Sequence, residues 1–181
     1  MNDASDTPSQ SRMITGLFRD RDSAERAYDS VTQRGYGTDD VNLLMSDETR
    51  KNYFPSDGTA PQTELGTKAA EGAGIGGAIG GTVGAIAAAL AAVGTSIAIP
   101  GLGLIVAGPV AAALAGAGAG GLTGGLVGAL IGWGMPEERV KRYEAGIKEG
   151  GIVLGVTPRS DADAVHFENE WKRHRAEDVY R

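Results

Sequence analysis

The chain has 181 residues, 41% of them apolar, which is enough to bury one modest core but not two full domains. Its formal net charge of −6 argues against a general nucleic-acid-binding protein, because neutralising phosphates requires a dominant basic face. The absence of cysteine excludes a disulfide framework and thiolate chemistry, and it suits a reducing compartment.

The N-terminal third predicts a disordered tail and then a β-α-β unit. Residues 1–12 are polar, with no apolar stretch like that of a secretory signal, so we expect a disordered tail on the cytoplasmic side. Residues 13–46 hold two predicted strands, Met13–Phe18 and Val41–Met45, which should lie parallel in one sheet. The helix between them should start at Asp22 or Ser23 and stop at Gly35. Its apolar stripe is Ala24, Ala27, Tyr28 and Val31.

Residues 47–66 are predicted to be a linker, because Pro55 and Pro61 stand among scattered polar residues. Residues 136–181 then predict a helix after Pro136, a strand in "GIVLGVTP", a helix from Ser160 or Asp161, and a short strand in "DVYR". Without the middle of the chain and the helix that follows it, the order is β-α-β-β-α-β. We therefore expect an α+β fold, a small ferredoxin-like α/β sandwich with an insertion.

The predicted insertion, residues 67–135, is rich in glycine and almost free of charge. Residues 72–135 contain no Asp, Glu, Lys, Arg or His, and they hold 20 of the 29 glycines. Two rows recur at every fourth position, and we expect them to mediate helix packing and oligomerisation. The rows are Gly72, Gly76, Gly80 and Gly84, and then Gly108, Gly116, Gly120, Gly124, Gly128 and Gly132, with Ala112 in the position between Gly108 and Gly116. Each glycine in a helix costs about 1 kcal/mol relative to alanine, so the spacing predicts a groove for close helix packing, a glycine zipper.

The lengths of the two glycine-rich arms predict a helical hairpin. Each arm has about 25 residues, enough to cross a hydrocarbon layer about 30 Å thick, and Pro100, Gly101 and Pro109 mark the turn. Basic residues near both ends of the hairpin predict that both termini are cytoplasmic. The row from Gly108 to Gly132 drifts about 240° around a straight helix, so more than one partner helix is needed. We therefore expect a homo-oligomer and a lipid bilayer as partners.

Two alternatives to a membrane hairpin remain at this stage. The arms could pack as the core of a soluble oligomer, or they could be disordered low-complexity sequence. Disorder fits poorly with the fourfold spacing and with the Ile, Leu and Val residues that fill the gaps. The apolar turn region is also unusual, because a loop that emerged beyond a bilayer would be polar.

The sequence predicts no enzyme, cofactor or metal. "GAGIGG" and "GAGAGG" match a dinucleotide-binding pattern, but neither follows a predicted strand and no acidic residue stands about twenty positions later. His166 and His174 are eight apart on one predicted helix without further ligands nearby. Asp161 and Asp163 are interpreted as helix-start residues rather than an acid/base pair. No small-molecule substrate can be identified.

Three stretches together resemble a bacterial general stress protein of the heat-induced, YflT-like type. They are "MITGLFRDRDSAERAYDSVTQRGYGTDDVNLLMSDE", the glycine-rich middle, and "MPEERVKRYEAGIKEGGIVLGVT", which span about residues 13–160. The resemblance implies stress induction and membrane association, and it implies no reaction or catalytic residue.

Two functional hypotheses follow. The first is a non-enzymatic stress-related structural protein that self-associates through its glycine-zipper hairpin in or on a membrane, with the α/β part as a cytoplasmic cap. The second is a cytoplasmic, soluble particle or filament protein whose hairpins form a dry interior. A small-ligand sensor built on the sheet is a weaker third option, because the sequence indicates no polar pocket.

Overall fold

The computed structural model describes residues 13–54, 86, 89, 90, 97–99, 103–109, 111 and 135–181. Its strands are β1 (Ile14–Phe18), β2 (Val41–Ser46), β3 (Ile97–Ile99), β4 (Leu104–Ala107), β5 (Ile152–Val156) and β6 (Glu177–Tyr180). Its helices are α1 (Arg21–Thr32), α2 (Asp47–Tyr53), α3 (Glu137–Lys148) and α4 (Asp161–Arg173), with a 3-10 turn at Thr38–Asp40.

Helix α1 begins at Arg21, one residue before its predicted start, whereas α4 begins at the predicted Asp161, and a side-chain cap precedes each of them. The Asp20 side chain accepts the Ser23 N–H at 2.8 Å to cap α1, and Ser160 accepts the Asp163 N–H at 3.1 Å to cap α4. Gly35, at φ +83°, follows α1 in the left-handed conformation that glycine adopts without strain. The predicted apolar stripe of α1 is confirmed, since Ala24, Ala27, Tyr28 and Val31 are all buried.

All six strands form one antiparallel sheet in the order β3-β4-β2-β5-β1-β6. The predicted α+β class is therefore confirmed. Because β5 pairs antiparallel with both β1 and β2, those two strands are parallel but not adjacent.

The sheet has apolar packing on both faces. On one face α1 and α4 cover a cluster that includes Phe18, Phe167 and Trp171. On the other face, α3 packs Val140, Tyr143 and Ile147 against residues such as Leu17 and Val153. The sheet is thus the middle of three layers, whereas a sandwich of one sheet and one helical layer was expected. The burial of the central strands explains the third layer. Every residue of β1 and β5 is buried, so both faces of these strands must be covered.

Part of the predicted linker is helical. The segment Asp47–Tyr53 forms α2, and the Ser46 side chain caps it by accepting the Thr49 N–H at 2.9 Å. Asp47 and Glu48 lie in the first turn and Arg50 and Lys51 in the last, which suits the helix dipole. Phe54 then buries its ring in the core and anchors the helix end.

The predicted helical hairpin also needs correction, because its expected turn region contains strands. The apolar residues 97–99 and 104–107 form β3 and β4, and β4 pairs with β2. A short apolar run suits a buried strand as well as a helix, and pairing with the distant β2 decides between them here. Residues 86, 89 and 90 of the expected first arm are helical.

The expectation of a membrane protein with a transmembrane helix is corrected as well. Among the residues that the structure describes, no helix is long and apolar enough to cross a membrane.

Candidate interaction site of the uncharged segment

The uncharged segment, residues 72–135, joins the sheet as its outer two strands. Leu104–Ala107 pair with Leu43–Ser46 in register, and β3 pairs with β4 on the other side. The turn between β3 and β4 is tied to α2, since the Asp47 N–H donates to the Gly103 carbonyl at 2.6 Å. This part of the segment is therefore integral to the α/β fold.

Gly108 lies directly after β4, where the backbone turns at φ +101°. A Cβ at this position would overlap the carbonyl oxygen of Val41 and stand 3.0 Å from the Cα of Asn42. The sequence predicted that Gly108 allows close packing between helices; the structure places its close approach against the start of strand β2 instead. Glycine is required here both by the conformation and by the space.

Pro109 was predicted to lie in a helical-hairpin turn, and it lies at the beginning of a helical turn. The Ala111 N–H donates to the Gly108 carbonyl at 2.9 Å, and Ala111 is buried in the apolar cluster under α3. The other predicted packing and turn residues lie outside the described residues. They are Gly72, Gly76, Gly80, Gly84, Pro100, Gly101, Gly116, Gly120, Gly124, Gly128 and Gly132.

The segment also contacts the opposite face of the sheet, beside α1. Ile86 and Ala89 are buried in the cluster that α1 covers, and the Ile86 N–H donates to Glu25 Oε2 at 3.0 Å. Arg21 Nε lies 3.4 Å from Glu25 Oε1, and the Arg21 guanidinium lies 4.9 Å from the centre of the Phe54 ring. The Arg21 and Glu25 side chains are only 5% and 2% exposed. A buried ion pair thus sits at the contact with the uncharged segment.

The environment of Glu25 opposes its ionisation. Burial raises the pKa of Glu25, and the hydrogen bond from Ile86 and the charge of Arg21 offset only part of that effect. Sequence reasoning did not single out this pair, because charged residues on a helix are normally solvated. A signal was present, since Arg21, Glu25 and Tyr28 follow the same i, i+4, i+7 spacing as a buried helix face.

A second polar network joins the end of α1 to the start of α4. Tyr36 donates its hydroxyl to Asp163 Oδ2 at 2.9 Å and accepts the Arg159 N–H at 2.6 Å. Arg34 Nε donates to Asp163 Oδ1 at 2.7 Å. Arg34 and the Tyr36 hydroxyl together hold the pKa of Asp163 below its ordinary value. Because both carboxylate oxygens are engaged in holding two helices together, the network is structural.

A polar cleft of about 330 Å³ lies between α2 and the end of α3. Its walls include Ser46, Thr49 and Lys148, but the Ser46 hydroxyl caps α2 and donates to the Thr49 hydroxyl, and Lys148 pairs with Glu144 at 2.7 Å. A second cleft of about 240 Å³ lies between α1 and α4 and includes His166 and Glu170. Among the described residues no three His, Cys, Asp or Glu side chains are placed to hold a metal ion.

The two predicted helix-start carboxylates, Asp161 and Asp163, have different partners, and so do the two histidines. Asp161 pairs with Arg181 at 3.0 Å, apart from the network around Asp163. His166 contacts the Phe167 ring, whereas His174 lies 3.7 Å from Glu170 and burial lowers its pKa. The structure therefore brings neither pair together around a common ligand.

The two edges of the sheet differ in chemistry. At one edge β6 carries an extra residue opposite β1, with Asp178 at φ +48°, and its Glu177 and Asp178 pair with Arg19 and Arg142. At the other edge, among the described residues, lies β3, which belongs to the segment without ionisable side chains.

Comparison with known proteins adds no relative: no family model, no curated protein and no solved structure matches the chain. The resemblance to general stress proteins and the glycine-zipper assignment therefore receive no support from relatives.

Proposed function

We propose that this chain is a non-enzymatic structural protein whose copies associate through the uncharged segment, residues 72–135. The observation that supports this most is the placement of β3, which puts a strand of that segment at the edge of the sheet. The product would be a particle or filament in which the uncharged segments form the dry interior.

The contrast between the two edges supports this proposal. Edge strands expose backbone N–H and C=O groups that can pair with another chain, and proteins protect them with charges, bulges or short strands. The β6 edge has a bulge and two acidic side chains in ion pairs. The β3 edge, with the sequence Ile-Ala-Ile, is short but has neither charge nor a bulge against β4. Copies of the chain would therefore meet at the β3 side.

We also infer that the α/β part has the ferredoxin-like arrangement. In support, β6, β1, β5 and β2 lie side by side in that order, and α1 and α4 pack on the same face. The additional elements are the β3–β4 pair beside β2 and helix α3 on the opposite face.

The proposal is tested by measuring the molar mass of the full chain over a range of concentrations with light scattering after size exclusion. We expect concentration-dependent oligomers for the wild type. Ala98→Lys should raise the dissociation constant about tenfold or more, equivalent to about 1.4 kcal/mol, because a buried edge would then have to accept a charge.

The control variant is Ala98→Ser, which adds a small polar group but no charge and should associate like the wild type. A wild-type chain that stays monomeric at millimolar concentration would refute the proposed function. Equal association of the Lys and Ser variants would show that the β3 edge is not the contact.

A further inference from the structure

The strongest unexplained feature of the molecule is the buried ion pair under the uncharged segment. Glu25 accepts the Ile86 N–H at 3.0 Å and Arg21 lies 3.4 Å away on the preceding turn of α1. Both side chains are at least nine-tenths buried. An isolated apolar contact would need no such pair, since burying charges opposes folding unless their partners compensate.

The charges that act on Glu25 come from α1. Arg21 attracts the ionised carboxylate and Asp29 repels it. Burial raises the pKa of the neighbouring Tyr28 hydroxyl to about 12, and the charges of Glu25 and Asp29 act in the same direction. At the end of α2, Phe54 contacts the Arg21 guanidinium. Among the described residues of the segment, the Ile86 backbone N–H contacts Glu25, and residues 72–135 contain no ionisable side chain.

We propose that Glu25 and Arg21 form a proton-linked latch that holds the helical residues around Ile86 on the α/β part, and that opening this latch favours association between copies. The regulatory half of this inference rests on the proposed function above. The latch itself rests on the contacts of Glu25 alone.

The direction of the proton linkage follows from burial. Burial raises the pKa of Glu25 in the closed latch, whereas in an open latch the carboxyl group would be in water near its ordinary value. A closed form with the higher pKa binds the proton more tightly, so acidification stabilises the closed latch. As the pH rises through the raised pKa, this stabilisation is lost.

Opening the latch would expose apolar surface. Ile86, Ala89 and Phe54 have at most 4% of their surface exposed in the closed form. A new apolar patch at this place would promote contacts between copies. Association should therefore increase as the pH rises above 4.5, the ordinary pKa of the Glu25 carboxyl, and through its raised pKa.

Hydrogen exchange of the peptides covering residues 84–90 tests the latch in the full-length protein. After correction for intrinsic exchange rates, we expect a loss of wild-type protection as the pH rises from 4 to 8, because this range begins below the ordinary pKa of 4.5. Glu25→Gln keeps an oxygen that can accept the Ile86 N–H but removes the charge, so its protection should stay constant and exceed that of the wild type at pH 8. Glu144→Gln, in an exposed pair on α3, is the matched control and should behave like the wild type.

Two outcomes would overturn the latch: the same pH dependence in wild type and Glu25→Gln, or lower protection of Glu25→Gln at every pH. Light scattering on the same samples tests the regulatory half. If the latch opens with pH while the oligomers stay unchanged, the regulatory link is wrong. If no sample associates at any pH, the proposed function fails, and the exchange data still decide whether the latch exists.

Discussion

The carbonyl oxygen of Val41 lies where the Cβ of any residue other than glycine at position 108 would stand. Gly108 also has φ +101°, so Gly108→Ala introduces both backbone strain and an overlap with strand β2. We expect a loss of at least about 2 kcal/mol in the free energy of unfolding, measured by urea denaturation. Gly103→Ala is the matched control. It has φ +60° but open space around the added methyl, and should cost only about 1 kcal/mol.

The network around Asp163 predicts an acid-sensitive part of the stability. Because Arg34 and Tyr36 lower the pKa of Asp163, the stabilisation is complete above the ordinary value of 3.8 and is lost as the pH falls through the lowered pKa. Asp163→Asn should therefore be less stable than the wild type at pH 7, and the two should converge at pH 2. Urea unfolding at several pH values measures this. The control is Asp161→Asn, whose side chain is exposed and whose free energy of unfolding should stay close to that of the wild type. A difference in the free energy of unfolding between Asp163→Asn and wild type that stays the same at every pH would contradict the prediction.

The Tyr143 hydroxyl connects α3 to the neighbouring strands β1 and β6. It donates to the Asp178 carbonyl at 2.8 Å and accepts from the Thr15 hydroxyl at 2.7 Å, in a buried position. Tyr143→Phe leaves the buried Thr15 hydroxyl and the partly buried Asp178 carbonyl without this partner, so we expect a loss of about 1–3 kcal/mol in the free energy of unfolding. A double-mutant cycle with Thr15→Val should show a coupling energy of about 0.5 kcal/mol or more. Additive effects would mean that this hydrogen bond contributes nothing to stability.

Burial also raises the pKa of Tyr143, which predicts a response to alkali. A group with a raised pKa in the folded state contributes stability that is lost as the pH rises above its ordinary value of about 10. The wild type should therefore lose more stability between pH 9 and pH 11 than Tyr143→Phe does. Thermal unfolding followed by circular dichroism over that range checks the difference, and parallel curves would count against it.

The fourfold glycine rows remain a prediction about residues outside the described ranges. Gly80→Leu and Gly124→Leu each place a large side chain in a row, so neighbouring helices would be held apart and association should weaken. Gly74→Leu adds the same apolar surface outside the rows and should matter less. Chemical crosslinking of the three variants measures this. The same behaviour in all three would mean that spacing is irrelevant and that composition alone explains the glycines.

The polar contacts show why the roles of some residues could not be predicted from the sequence. Asp163 was interpreted as a helix-start residue, and Ser160 does cap its N–H, but its partners Arg34 and Tyr36 stand far away in the chain. Glu25 lies on the buried face of α1 and accepts from Arg21 on the same helix, whereas its other donor, the Ile86 N–H, stands far away in the chain. Such partners are brought together by folding and have no local spacing that reveals them.

The sequence by itself determined the α+β class, the limits of most helices and strands outside the uncharged segment, and the apolar stripe of α1, because capping and hydrophobic periodicity act between near neighbours in the chain. Only the tertiary structure decided that residues 97–99 and 104–107 are strands, that α3 covers the second face of the sheet, and that Gly108 packs against Val41. The physical reason is that a short apolar run can be buried equally well as a helix or as a strand. The backbone groups of distant β2 settled that choice, since they pair with β4 and leave β3 at the edge.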